Sequence, residues 1–156
     1  IWDKSASAGS SCAWGSFQSA SNPCLRDVHE YLLVFSKGDY KLKRDKQERA
    51  EGRIDTIPRD DFIKHTKSIW SFATERASRV NHPAPFPVEL PKRCIEMYSF
   101  VGDVVLDPFN GSGTTCVAAK STGRVYIGVD LSQEYCTIAE TRLESVEPWT
   151  APEVTV

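Results

Sequence analysis

The 156-residue chain has no C-x-x-C pair, no long apolar run and no strong excess of either charge. Its five cysteines, Cys12, Cys24, Cys94, Cys116 and Cys136, are odd in number and widely spread. That distribution argues against a disulfide framework or a zinc site and for reduced thiols in a cytoplasmic protein. No apolar stretch approaches the ~18 residues of a membrane span, and no signal peptide is visible. No segment repeats another. A formal net charge of −2 does not by itself announce a nucleic-acid partner. What is present is ordinary for a globular protein: 40% apolar residues, 26% charged, and enough length for one domain with a real core.

The order of segments carries more information. Ile1-Trp2 reads as the end of a strand. Ser5 to Pro23 has loop composition, with Trp14 and Phe17 as either plugs for that loop or a surface for stacking a base. Within HEYLLVFSK, Tyr31 to Ser36 reads as a buried strand. From Lys37 to Arg53 the bases Lys37, Lys41, Lys43, Arg44, Lys46, Arg49 and Arg53 outnumber the acids Asp39, Asp45, Glu48 and Glu51. Trp70 and Phe72 alternate with polar neighbours, as in a short extended piece. Pro83, Pro85 and Pro87 hold a stiff extended segment.

An amphipathic helix is predicted from about Pro87 to Ser99, ending at Gly102, followed by a short buried strand at Val104 to Leu106. Gly113 to Ser121 reads as a helix with Val117, Ala118 and Ala119 as small packing residues. Val125 to Val129 reads as a second buried strand that leads into Asp130. Ser132 is a good N-cap for a helix over Gln133 to Glu144, and Glu147 to Val156 reads as a tail. Alternating helices and strands indicate an α/β fold with parallel strands.

In such sheets ligands sit at the carboxyl ends of the strands. Asp107 and Asp130 fall there, one helix apart, and the turn Gly111-Ser112-Gly113 lets a ligand approach the backbone closely. A pyrophosphate would not want a carboxylate in front of that turn. S-adenosylmethionine has an ammonium group for Asp107 and a ribose diol for Asp130, and it carries no phosphate. The plainer alternative is a capped tight turn with two solvated aspartates. Cys116 stands in the first turn of the next helix, where a thiol pKa can fall, although packing is its expected role.

Asp107 to Thr115, DPFNGSGTT, resembles the cofactor motif of the DNA amino-methyltransferases, which methylate N6 of adenine or N4 of cytosine. The resemblance continues through IWDKSASAGSS, RDVHEYLLVFSKGD, HPAPFPVEL and YIGVDLSQEY and covers most of the chain. It implies a partial Rossmann-like class I methyltransferase fold, a mostly parallel sheet with flanking helices. Asp107, Phe109, Gly111, Ser112, Gly113 and Thr114 would form the methionine side of an S-adenosylmethionine pocket. Asp130 would hold the ribose, and Pro85, Phe86 and Pro87 would pack against the cofactor.

The resemblance further implies a cytoplasmic enzyme of prokaryotic or viral type that acts on double-stranded DNA. The piece from about Lys41 to Lys67 takes the place of the family's target-recognition region. There Lys41, Lys43, Arg44, Lys46, Arg49 and Arg53 would contact phosphate, or the run is simply a solvated face. On this reading 1–38 ends the catalytic half, 39–68 is recognition-like, 80–146 is the cofactor half and 147–156 is the tail.

The family's catalytic motif, D/N/S-P-P-Y/F/W, does not occur in these residues. Asn22-Pro23-Cys24-Leu25 lacks the second proline and the aromatic. The position of the cofactor motif matches the permuted β group, in which the catalytic motif precedes it. The expectation is therefore a fragment with its catalytic motif upstream of Ile1. Such a fragment would bind cofactor without transferring methyl groups, unless a second chain or self-association completes it. Two alternatives stand beside this: a non-catalytic module for S-adenosylmethionine or nucleic acid, and an RNA guanosine methyltransferase. The residues do not choose between adenine and cytosine.

Overall fold

Two parallel strand pairs organise the computed structural model, which describes residues 1–4, 28–38, 53–74 and 86–151. Each pair belongs to its own compact unit. One unit is made of Ile1–Gly38 and Lys67–Thr74, the other of Asp39–Thr66 and Glu75–Val156.

In the first unit, β1 (Trp2–Asp3) lies between β2 (His29–Glu30) and β3 (Trp70–Ser71). It runs antiparallel to β2, with Trp2 opposite Glu30, and parallel to β3, with Trp2 opposite Trp70. The expected strand end at Ile1-Trp2 and the extended piece at Trp70 are both present. Trp2 anchors the sheet. It is only 2% exposed, its ring stacks on Phe72 with centroids 5.5 Å apart, and its indole N–H donates to the Phe72 carbonyl at 2.9 Å. A buried indole needs such an acceptor, and here the strand itself provides it. Lys4 pairs with Glu30 across the antiparallel edge.

The buried strand expected at Tyr31 to Ser36 is not observed. β2 ends at Glu30, and Tyr31, Leu33 and Phe35 are 69%, 73% and 83% exposed. A strand needs a partner ladder, and β1 offers β2 only two residues of pairing.

From Glu89 onward the second unit follows the expected alternation closely; the helix before it, at Arg59–His65, was not expected. Its elements are α1 (Arg59–His65), α2 (Glu89–Tyr98), β4 (Val104–Asp107), α3 (Thr114–Ser121), β5 (Val125–Gly128) and α4 (Gln133–Glu144). β4 and β5 pair in parallel from Val104 opposite Val125 to Asp107 opposite Gly128. Ser132 caps α4 as expected, its hydroxyl accepting from the Tyr135 N–H at 3.4 Å. Buried Ile95 of α2 packs with Ala118 and Ala119 of α3, and Val88 and Val105 close around them. The alanines let a helix lie close to the sheet.

The two strands are not buried, contrary to expectation. Val104 and Leu106 are 61% and 60% exposed, and all four residues of β5 are exposed. Parallel strands are apolar throughout because helices usually cover both faces. Successive side chains alternate sides. Val105 meets the alanine core, while Val104 and Leu106 lie on a face that no described element covers.

Arg124 closes the opposite end of this sheet. It is buried, and it donates to the Thr56 hydroxyl at 2.6 Å, the Ser99 hydroxyl at 3.1 Å and the Ser99 carbonyl at 2.6 Å. Burial lowers its pKa, and Glu96, Asp55 and Asp103 oppose that shift. The loop with Trp14 and Phe17, the charged piece at 41–52, and Pro83 and Pro85 lie outside the described residues.

Candidate functional site

The carboxyl ends of β4 and β5 are joined by hydrogen bonds that continue beyond the strands. Val129 N–H donates to the Asp107 carbonyl and Asn110 N–H to the Val129 carbonyl, both at 2.9 Å. Asp107 is the last residue of β4, and its Oδ1 accepts from the Phe109 N–H at 3.0 Å. Asp130, two residues past β5, accepts from the Gly111 N–H through Oδ2 at 2.8 Å and from the Ser132 N–H through Oδ1 at 2.9 Å. The two strand-end carboxylates and the glycine turn are therefore assembled in one place. Each carboxylate also has a structural task, as the capped-turn alternative requires. A carboxylate offers about four lone-pair sites, so these bonds leave acceptor capacity on both. Among the described residues nothing donates to Asp107 Oδ2.

Gly111 and Gly113 have φ of 49° and 81°, the left-handed region where a side chain is strained. At Gly113 a second constraint applies, because an added Cβ would come within 2.6 Å of Ala139 Cβ on α4. The following helix start, Thr114, is buried with Ser112. Phe109 is 89% exposed beside the turn, and Leu131 is fully exposed after Asp130.

The roles of three residues at this site escape the sequence reading, which placed Ala139 only on the packing face of the last helix. Asn110 accepts from the Cys116 thiol at 3.1 Å and lies against the backbone of Gly128. Arg142, from the last turn of α4, donates through Nη1 to the Ser112 carbonyl at 2.6 Å, the Ser112 hydroxyl at 3.0 Å and the Thr114 hydroxyl at 3.1 Å. Ala139 makes room for Gly113 one helical turn before it. Nothing local in the sequence ties Arg142 to Ser112, thirty residues away. Cys116 is buried, in keeping with the packing role expected of it, and its position at the helix start does not lower its pKa: burial, and then the Asp107 charge, push it up to about 11.

The remaining predicted residues are less informative. Phe86 and Pro87 are half-buried before α2, and the Pro87 carbonyl accepts from the Leu90 N–H at 3.0 Å. Pro85, Lys41, Lys43, Arg44, Lys46 and Arg49 lie outside the described residues. Arg53 stacks its guanidinium on Phe100, 5.5 Å from the ring centroid. No group of three metal-ligating side chains occurs among the described residues, and no described helix is long and apolar enough to cross a membrane.

A parallel sheet with carboxylates and a glycine turn at its strand ends defines a Rossmann-like α/β protein, the architecture of the class I methyltransferases. The chain belongs to the DNA methylase family of N6 and N4 methyltransferases, whose model matches residues 1–141. It is 50% identical over 144 residues to the orphan methyltransferase M.BamHII of Bacillus amyloliquefaciens, covering 76% of this chain and 54% of that protein. It is 34% identical over 135 residues to the type II methyltransferase M.MthZI of Methanothermobacter thermautotrophicus, covering 83% of this chain and 38% of that one. Among solved structures, a DNA modification methylase of Thermus thermophilus, complexed with S-adenosyl-L-methionine, superposes with a TM-score of 0.63. It is 32% identical, with 91% of this chain and 50% of that chain covered. The chain thus spans between about a third and a half of the length of the curated relatives it matches.

Proposed function

We propose that this chain provides the S-adenosylmethionine-binding half of a DNA amino-methyltransferase acting on the exocyclic amine of cytosine (N4) or adenine (N6). The observation that carries the reading is the pairing of Asp107 and Asp130 at adjacent strand ends around the Gly111–Gly113 turn. These two acceptors suit a cation with a diol better than a phosphate, because Arg142, the cation at the turn, donates to Ser112 and Thr114. Asp107 holds the ammonium end, Asp130 accepts from the ribose hydroxyls, and Phe109, Ser112 and Thr114 border the methionine side. Pro85, Phe86 and Pro87 pack against the cofactor within a half that spans 80–146.

The bound cofactor supplies an electrophilic methyl group on its sulfonium. The chain's own residues bind and orient it. The target base is taken out of the duplex. Its amine nitrogen is held by the D/N/S-P-P-Y/F/W motif, which these 156 residues do not contain. The chain by itself is accordingly a cofactor-binding fragment, completed by a segment or second chain that carries that motif. Lys41, Lys43, Arg44, Lys46, Arg49 and Arg53 act on double-stranded DNA as phosphate contacts.

Titration calorimetry of the 156-residue chain with S-adenosylmethionine tests the reading. One saturable site is expected. Asp107→Asn keeps an acceptor for the Phe109 N–H but removes the charge, and should weaken binding about tenfold or more. A folded chain that shows no heat of binding at millimolar cofactor would sink the proposal.

A further inference from the structure

The cofactor turn is held from one side by a single helix. Asp130 and Ser132 at the entry to α4 fix Gly111 and start the helix. Ala139 and Arg142, three residues apart and so on one face of α4, meet the other half of the turn. A Cβ at position 113 would fall 2.6 Å from the Ala139 Cβ, so α4 leaves no room there for any residue but glycine. Arg142 Nη1 reaches three oxygens, two on Ser112 and one on Thr114, and both of those residues are buried. Without a donor there, buried oxygens would lose partners that water cannot readily replace. The bond to the Ser112 carbonyl has a directional consequence. It turns that peptide oxygen toward α4, and the N–H of the same peptide unit, on Gly113, donates to the Asn110 carbonyl at 2.9 Å. Both faces of the Ser112–Gly113 peptide are thereby fixed. A cation near the first turn of α3 also works against the helix dipole, so its presence is not explained by helix electrostatics.

We infer that Arg142 is a positioning residue: it sets the Ser112–Thr114 backbone for S-adenosylmethionine without touching the ligand. This rests on the function proposed above. The three bonds to Ser112 and Thr114 come from one nitrogen, so what the turn needs is a point donor rather than a planar fork. A lysine at 142 can supply that, and methionine, similar in volume, cannot.

The test uses the full chain with R142M and R142K, read by calorimetry with S-adenosylmethionine, by thermal melting and by amide exchange over 110–114. R142M is expected to melt somewhat lower, because buried oxygens lose their donor, and in its folded fraction to bind about tenfold or more weaker, with faster exchange in the turn. R142K should recover most of the affinity. A purely structural arginine would lower the melting temperature of both variants and leave the affinity of the folded fraction unchanged, and that result overturns the inference. Equal affinity of R142M and the unmodified chain also overturns it while leaving the proposed function standing. If the unmodified chain binds no cofactor, the proposed function fails. The exchange measurement then decides the positioning role alone, and unchanged protection over 110–114 in R142M refutes it. Should R142M not fold, R142Q, with a shorter donor, carries the same comparison.

Discussion

The parallel pair β1–β3 and the parallel pair β4–β5 are both short, yet different chemistry holds them. In β1–β3 the strands are two residues long, and one buried indole does most of the holding through its stack on Phe72 and its N–H bond to the same residue. In β4–β5 the strands are four residues long, and the turn after β4 is tied by the Asp130 carboxylate and by an arginine from a separate helix. The first arrangement is an apolar anchor supplemented by a Ser71 hydroxyl that donates to Asp3 Oδ2 at 3.0 Å. The second concentrates carboxylate acceptors and left-handed glycines at one end of the sheet.

Substitutions break or sharpen this contrast. The largest loss is expected from Trp2→Ala, at about 3–5 kcal/mol for a buried tryptophan. Urea denaturation followed by circular dichroism measures it. A loss well below that would mean that the backbone ladder, not the indole, holds β1–β3. Next comes Gly113→Val, which adds left-handed strain to a steric clash with Ala139 and should cost about 3 kcal/mol in the same experiment. It should also abolish cofactor binding, whereas Trp2→Ala in a chain that remains folded should spare it. Equal loss of binding from both would show that the two strand pairs do not act separately.

The smallest effect concerns Glu96 on α2. Burial raises its pKa above the ordinary 4.5, with Glu89 and Asp61 adding to the rise and Lys92 and Arg124 opposing it. A group raised in the folded state stabilises fully below its unfolded pKa, and that contribution is lost as pH rises through the folded value. Glu96→Gln should therefore flatten the fall in melting temperature from pH 4.5 upward and leave acid stability little changed. Identical profiles for the two proteins would show that Arg124 compensates the buried carboxylate in full.

Much of the second unit was legible in the sequence. The Ser132 cap, the alanines of α3 and the DPFNGSGTT turn are local signals, and each lies where its chemistry placed it. Tyr31 to Ser36 was misread because an apolar run specifies a capacity to pair, not the length of the partner that β1 presents. The burial of β4 and β5 was overestimated for a related reason. Apolar residues on both sides of a strand say that both faces can be covered, and only the packing of α3 says which one is.

The amino-acid sequence by itself determined the family, the α/β alternation and the two carboxylates at the strand ends, because turns, caps and glycine requirements act over a few residues. Only the tertiary structure decided that Asp130 holds Gly111, that Arg142 grips Ser112 across thirty residues, and that burial raises the Cys116 thiol pKa instead of lowering it. Those outcomes depend on which side chains are carried into a common, poorly hydrated space, where a hydrogen bond or a burial penalty is set by neighbours distant in the chain.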